Sequence, residues 1–189
     1  KARIVIREMA DALALELVEK GLATDQLTLT VGYDIENIQD PERLSRYQGE
    51  IKKDRYGRFV PKHSHGTENI GKYTSSTRKI QDAADALFHR IVDPGLLIRR
   101  LNITANHVMS EREVPEADAC EQMDLFVDYE IMQEEKRREE AEQVREKKIQ
   151  STVLDIKRKF GKNAILKGTA LEDGATSRER NQKIGGHQA

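Results

Sequence analysis

The sequence contains 189 residues, with 32 lysines and arginines against 33 aspartates and glutamates, which gives a formal net charge of −1. Charged residues make up 34% of the chain and aromatic residues 5%, so we expect a core of about 110 residues followed by a solvated extension. The near-zero net charge excludes a chain that is basic over its whole surface, and any basic patch must be local.

The first half of the chain begins with a helix and a strand. Apolar residues recur at helical spacing over residues 2–20, and Gly21 supplies a C-terminal stop. Residues 27–33 alternate strictly between apolar and polar side chains, which predicts a half-buried strand with one polar face. Residues 39–65 are polar and basic with a turn signal at residues 54–57, so we predict a loop or a protruding hairpin there.

A second strand and a second helix follow. The strand is predicted over residues 67–74, and the cluster at residues 75–77 can cap a helix that ends at the turn formed by residues 93–95. The order helix, strand, strand, helix, strand predicts an α+β domain. It would be a small antiparallel or mixed sheet with two helices on one face.

A third strand is predicted from about residue 97 to residue 109, with apolar side chains on one side and polar side chains on the other. Arg99 falls on the apolar side of this alternation. We therefore expect a bulge at Arg99, or regular pairing that begins only at Arg100.

The second half of the chain has a different character. Residues 134–148 are almost all charged, with both signs mixed, and an apolar stripe follows before Gly161. We predict a long charged helix and then a polar tail with little to bury. The predicted regions are a domain at 1–110, an acidic linker at 111–127, the helix at 128–160 and the tail at 161–189.

Redox and targeting signals are sparse. The single cysteine, Cys120, excludes an internal disulfide framework and fits a reducing cytoplasm. No apolar run approaches the ~20 residues of a membrane span, and no signal peptide is visible. Because the sequence begins at Lys1 without Met, inside a helical pattern, we interpret it as a fragment of a longer protein.

Three patterns suggest chemistry and are outweighed by simpler interpretations. Residues 66–72 have the spacing of a phosphate-binding P-loop, but Tyr73 stands where such a loop needs Ser or Thr for magnesium. His63 and His65 have no further ligands at suitable spacing, and Asp34 with Glu36 fits strand-end solvation better than a carboxylate pair. Nothing in the chain looks catalytic.

A set of cationic and hydroxyl residues suits nucleic-acid phosphates. Lysines and arginines neutralise phosphates, and hydroxyls and backbone N–H groups at a helix start donate to phosphate oxygens without reading sequence. The competing interpretation is an ordinary solvated sheet face. The candidate DNA-binding residues are Lys72, Thr74, Ser76, Arg78, Lys79, Arg99, Arg100 and Asn102.

The acidic linker contains the pentapeptide at residues 122–126, Gln-Met-Asp-Leu-Phe. It resembles the short peptide with which bacterial polymerases and repair proteins bind the ring-shaped sliding clamp. Leu125 and Phe126 would fill an apolar pocket, while the Gln122 amide would bond backbone groups at its rim. The simpler alternative is a Leu-Phe pair that packs at the foot of a helix.

Together these stretches resemble a known family. The run at residues 71–77, the helix after it and residues 97–103 resemble the C-terminal "little finger" domain of Y-family translesion DNA polymerases, and most of all that of UmuC-like (ImpB/MucB/SamB) DNA repair proteins. Residues 29–34 and the segment at 175–187 also fit.

The resemblance implies a four-stranded sheet backed by two helices that holds primer–template duplex by backbone contacts. It also implies an error-prone DNA-directed DNA polymerase that acts in DNA damage repair and the SOS response. Its catalytic carboxylates and Mg²⁺ would belong to a palm domain before Lys1, and no cofactor is expected in this chain. The first strand of the sheet would also precede Lys1, which would leave an open edge.

Two other functions compete with this one. A protein-interaction adaptor would use the charged helix at 128–160 and bind no DNA. A small nucleotide-dependent enzyme would use the loop at residues 66–72, against which Tyr73 argues.

Overall fold

The computed structural model describes residues 1–115, 129–184 and 187–188. The helices are α1 (Ala2–Lys20), α2 (Glu36–Gln39), α3 (Pro41–Arg46), α4 (Thr77–Ile91), α5 (Tyr129–Phe160) and α6 (Ser177–Arg180), with a 3-10 helix at Gly168–Leu171. The strands are β1 (Leu22–Tyr33), β2 (Ile51–Lys53), β3 (Phe59–Pro61), β4 (Ser64–Thr74), β5 (Ile98–Asn106), β6 (Met109–Ser110), β7 (Lys183–Ile184) and β8 (His187–Gln188).

The main sheet has the order β4-β1-β5, and all its pairs are antiparallel. The two-residue strand β6 pairs with the first residues of β1. Helices α1 and α4 cover one face, and the core between the layers contains Leu27, Leu29 and Val31 of β1 together with Ile80 and Leu87 of α4. The predicted α+β fold is confirmed. No helix within the described ranges is both long and apolar enough to cross a membrane.

Gly66 lets α4 lie close against β4. A Cβ atom at this position would stand 2.8 Å from Cγ2 of Ile91 and 3.1 Å from Cδ1 of Leu87, so a larger residue would push the helix away from the sheet. The glycine that begins the P-loop-like stretch therefore serves helix packing, and the stretch itself lies within a strand.

Asp85 links the two packed helices. Its carboxylate accepts hydrogen bonds from Nε of Arg7 at 2.7 Å and from Nε and Nη2 of Arg3 at 3.3 and 3.2 Å. Burial raises the pKa of Asp85, but the hydrogen bonds and charges of the two arginines outweigh burial and hold that pKa below its usual value. The ionised carboxylate thus contributes to the packing of α1 against α4.

We predict that this contribution disappears in acid. Because the folded-state pKa of Asp85 lies below its unfolded value of about 3.9, the stabilisation is complete above that pH and is lost as the pH falls through the folded-state pKa. Replacing Asp85 by Asn should lower the free energy of unfolding at pH 7 by about 1–2 kcal/mol and flatten its decline below pH ~4. Urea unfolding from pH 7 to pH 3 measures both effects.

Asp82 provides the matched control for this experiment, because it lies on the same helix but is exposed. Asp82→Asn should leave both the stability at pH 7 and the acid-induced decline close to those of the unmodified chain. An Asp85→Asn variant with an unchanged pH profile would show that the arginine contacts do not hold the carboxylate ionised.

The structure differs from the prediction in several boundaries. β1 begins at Leu22, five residues before the predicted start, because Thr24 is fully buried and its hydroxyl donates to the carbonyl of Asn106. The third strand is interrupted at His107, whose φ of 49° places it in the left-handed region and separates β5 from β6. Of the loop or hairpin predicted for residues 39–65, the hairpin exists as β2 and β3, but the short helices α2 and α3 were not predicted.

Helix α5 packs against the domain instead of projecting from it. Gln150 is buried, and its Nε2 donates to the carbonyl of Ser75 and to Oγ1 of Thr77, each at 2.9 Å. Further along the helix, Arg158 bonds Glu19 of α1 at 3.2 Å. The part of α5 from Gln150 onward is therefore fixed to both helices of the domain.

The segment after α5 returns to α1, although it was predicted as a polar tail with little to bury. Its contacts are polar: the Glu8 carboxylate is buried and accepts bonds from the backbone N–H of Thr176 at 2.9 Å and from Arg180 at 3.4 Å. Lys167 pairs with Asp11 at 2.6 Å. A polar segment can dock here because the buried Glu8 carboxylate meets the Arg180 guanidinium and the Thr176 N–H.

Candidate nucleic-acid interface

The outer face of the main sheet, opposite the helices, carries neutral polar side chains. Nε2 of Gln26 donates to Oδ1 of Asn69 at 2.7 Å, and the hydroxyls of Thr28 and Thr67 lie 3.2 Å apart. Nδ2 of Asn106 donates to the Thr28 hydroxyl at 2.7 Å. These donors and acceptors satisfy one another across the strands, so the face presents hydroxyl and amide groups without net charge.

At one end of this face, β5 bulges outward. Gly32 pairs with Arg100 and Tyr33 pairs with Ile98, so Arg99 has no residue opposite it on β1. The bulge expected from the sequence is confirmed. Both arginines are exposed, because the extra residue breaks the alternation that would turn one of them toward the helices.

The hairpin of β2 and β3 stands beside the bulge, and Asp54 shapes its turn. Oδ1 of Asp54 accepts from the backbone N–H groups of Tyr56 and Arg58 at 2.8 and 3.0 Å, and Oδ2 accepts from the Arg58 guanidinium at 2.6 Å. The hydrogen bond from Arg58 is the main reason that the pKa of Asp54 is lowered. Guanidinium groups of Arg55 and Arg58 lie 4.7 and 5.1 Å from the exposed Tyr56 ring.

A groove of about 750 Å³ separates the hairpin from this end of the sheet. Thr30 and Asn102, which are paired across β1 and β5, lie on its sheet side. Its charged lining is strongly cationic, with a single carboxylate from Asp54. The cations are Lys52, Lys53, Arg55, Arg58, Arg99 and Arg100.

Asn37 fixes the position of the elements around the groove. It is fully buried, its Nδ2 donates to the carbonyls of Asp34 and Leu97 at 2.9 Å, and its Oδ1 accepts from the Leu97 N–H at 2.8 Å. Helix α2, which contains Asn37, also contacts β3. One amide thus connects the base of the hairpin with the start of β5.

The second group of predicted residues lies at the other end of β1 and on the opposite edge of the sheet. Thr74 pairs with Thr24, and Lys72 lies in a stretch of β4 that bulges where Gly71 adopts a φ of 91°. Ser76 caps α4 by accepting from the N–H of Lys79. Carboxylates of α5 contact Ser76, Arg78 and Lys79.

The structure therefore divides the predicted DNA-binding residues into two places. Arg99, Arg100 and Asn102 line the groove, together with hairpin cations that the sequence prediction did not select. These hairpin cations belong to residues 39–65, which the sequence shows to be polar and basic. The turn signal at residues 54–57 is the sequence pattern that could have indicated their position. The Lys72–Lys79 group forms a separate site at the start of α4.

Comparison with protein families decides what kind of domain this is. Residues 1–125 match the impB/mucB/samB family C-terminal domain. The chain belongs to this family. The match confirms the resemblance drawn from the sequence, and it ends before α5, so the segment at 175–187 lies outside the matched residues. Comparison with curated protein sequences and with solved structures gave no match.

The structure also shows the surroundings of the other candidate residues in this impB/mucB/samB-family domain. His65 shares a hydrogen bond of 3.0 Å with the Thr30 hydroxyl, while His63 lines the groove. Asp34 follows the end of β1, and its Oδ1 accepts from the N–H of Glu36 at 3.0 Å, at the start of α2. In the described parts of the chain, no three His, Cys, Asp or Glu side chains are close enough together to hold a metal ion.

The clamp-like peptide of this family member lies outside the described residues. Gln122, Leu125 and Phe126 fall between residue 115 and the start of α5 at Tyr129. Their role rests on the sequence alone.

Proposed function

We propose that this chain is the DNA-gripping and clamp-tethering C-terminal portion of an error-prone translesion DNA polymerase, acting in the cytoplasm in DNA damage repair and the SOS response. The observation that supports it best is the groove between the hairpin and the bulged end of β5. Six cations line that groove against one carboxylate, in a chain whose net charge is only −1. Such local concentration of positive charge is the signature of a phosphate-binding surface.

The grip is independent of base sequence. Lysines and arginines neutralise phosphates wherever these lie on the duplex and carry no sequence information. The neutral side chains of the sheet face are bonded to one another, as between Gln26 and Asn69, which occupies donors and acceptors that would otherwise read base edges. A grip of this kind suits lesion bypass, because damaged bases do not disturb phosphate contacts.

The pentapeptide at residues 122–126 supplies the tether. It lies in the linker that follows β6, so a sliding clamp bound there would hold the domain near the primer end while the groove holds duplex. Tethering raises the effective concentration of a weak DNA binder without new DNA contacts. The nucleotidyl transfer and its Mg²⁺ would belong to palm and other N-terminal polymerase domains, which act as partners of this chain.

A salt-titrated duplex-binding assay tests the proposal. Two duplexes of equal length and unrelated sequence should bind with dissociation constants within about twofold of each other. The logarithm of the affinity should fall linearly with the logarithm of the salt concentration. The slope should be about −5 if each of the six groove cations contacts a phosphate and contributes ~0.9 to the slope. A strong preference for one sequence would overturn the backbone grip. Absence of binding would favour the adaptor function.

A further inference from the structure

The start of α4 offers the donors that a phosphate group requires. They are the Ser76 hydroxyl, the backbone N–H of Arg78, which has no acceptor within its own helix, and the side chains of Arg78 and Lys79. In this structure each donor is engaged by a carboxylate of α5. Oε2 and Oε1 of Glu146 accept from the Ser76 hydroxyl at 2.6 Å and from the Arg78 N–H at 3.1 Å. Three different kinds of donor are thus directed at anionic oxygens.

The side-chain cations are paired in the same way. Oε2 of Glu142 accepts from Nη1 of Arg78 at 3.1 Å, and Oε1 of Glu139 accepts from Nζ of Lys79 at 2.6 Å. The hydrogen bond from Lys79 is the main reason that the pKa of Glu139 is lowered, and the charge of Lys72 adds to it. The start of α4 therefore directs hydrogen-bond donors at three carboxylates of α5.

The three carboxylates form one row on α5. Glu139, Glu142 and Glu146 are spaced three and four residues apart, so they lie on one helix face, and Gln150 continues this face into its buried contacts with Ser75 and Thr77. Glu134, Glu135 and Glu140 on the same helix are exposed and form no ion pair among the described contacts. Contact with the start of α4 therefore depends on the position of each glutamate along α5, and not on the charge of the helix as a whole.

The strength of the contact differs along α5. The Glu139 and Glu142 side chains are 49% and 46% exposed in their pairs with Lys79 and Arg78, and exposed ion pairs are individually weak. Gln150 is buried, and Arg158 holds the end of the helix to α1. The part of α5 up to Lys147, whose ion pair with Glu111 would also break, can therefore be displaced while the part from Gln150 onward stays in place.

We propose that the carboxylate row Glu139, Glu142 and Glu146 occupies a phosphate-binding surface at the start of α4 and competes there with the DNA backbone. In the absence of DNA, the row imitates phosphate and masks this surface. In its presence, the part of α5 up to Lys147 leaves, and Ser76, Arg78 and Lys79 contact phosphates beyond those held in the groove. This inference rests on the proposed DNA binding of the chain and adds to it an internal competitor that lies outside the family match.

The test neutralises the row in the full chain. A variant with Glu139→Gln, Glu142→Gln and Glu146→Gln is compared with a control variant with Glu134→Gln, Glu135→Gln and Glu140→Gln, using a 20-base-pair duplex in a fluorescence anisotropy titration over salt. Both variants change the net charge by the same amount. The first should bind about tenfold more tightly than the control, with a salt slope steeper by about 2, because Arg78 and Lys79 gain phosphate contacts. Circular dichroism checks that α5 stays helical.

A second pair of substitutions separates unmasking from a general charge effect. Arg78→Gln with Lys79→Gln should change duplex affinity by less than about twofold in the unmodified chain, where each phosphate contact only replaces a contact with the row, yet remove most of the gain in the neutralised variant. Equal affinities of the row variant and its control overturn the competition and leave the groove proposal intact. If neither the unmodified chain nor any variant binds duplex, both proposals fail. Binding only after neutralisation supports both.

Discussion

Replacing Lys52, Lys53, Arg55, Arg99 and Arg100 by glutamine is expected to weaken duplex binding by on the order of a hundredfold at ~0.1 M salt. These side chains are exposed on the two sides of one groove, and glutamine keeps their approximate length while it removes their charge. Each lost phosphate contact should make the salt slope shallower by about 0.9. Anisotropy titrations at several salt concentrations measure both quantities.

Arg58 is left unchanged in this variant, because its bonds to Asp54 shape the hairpin turn. The matched control removes two lysines and three arginines that are exposed outside the groove: Lys136, Lys148, Arg112, Arg137 and Arg145. If the control weakens binding as much as the groove variant, the grip reflects total charge and not the groove. The loss should also be the same on unrelated duplex sequences, since phosphate contacts carry no base information.

Replacing Leu125 and Phe126 by alanine is expected to abolish binding of the chain to a bacterial sliding clamp. Two apolar anchors that fill one pocket provide most of the energy of such a short peptide, so the dissociation constant should rise at least about a hundredfold. Gln122→Ala should weaken binding less, because its amide contacts only the rim of the pocket. Surface plasmon resonance with immobilised clamp measures all three chains.

The intervening positions provide the control for the clamp experiment. Met123→Ala with Asp124→Ala alters the same peptide without touching the proposed anchors, and clamp affinity should stay within a fewfold of the unmodified chain. Retained binding of the Leu125 and Phe126 variant would show that another surface of the chain contacts the clamp. Duplex affinity should be equal in every one of these variants, because the groove lies in a separate part of the chain.

The sequence predicted the fold best where one pattern repeats along one element. The alternation over residues 27–33 identified the buried face of β1, and the hydroxyl cluster before Thr77 identified the cap of α4. Even the bulge could be predicted, because Arg99 is out of phase with the alternation of its strand and a charged side chain cannot face the core without a partner.

The candidate site was harder to predict, because it depends on contacts between distant segments. α2 and α3 contain four and six residues, too few turns to show a helical period. Lys79 and Glu139 are 60 positions apart in the sequence. A helix that carries charges of both signs can pair with many surfaces, so its sequence does not indicate which surface it contacts. The hairpin was predicted to protrude, but no local pattern indicates that its cations lie opposite Arg99 and Arg100.

The amide of Asn37 has a consequence for the association rate of the proposed DNA binding. Because it connects α2 with the backbone before β5, the opening between hairpin and sheet exists before any ligand arrives. A cleft that is already shaped loses little conformational entropy on association, and its positive field accelerates encounter with a polyanion. The proposed binding of duplex in the groove is therefore expected to be fast and to need no closing motion.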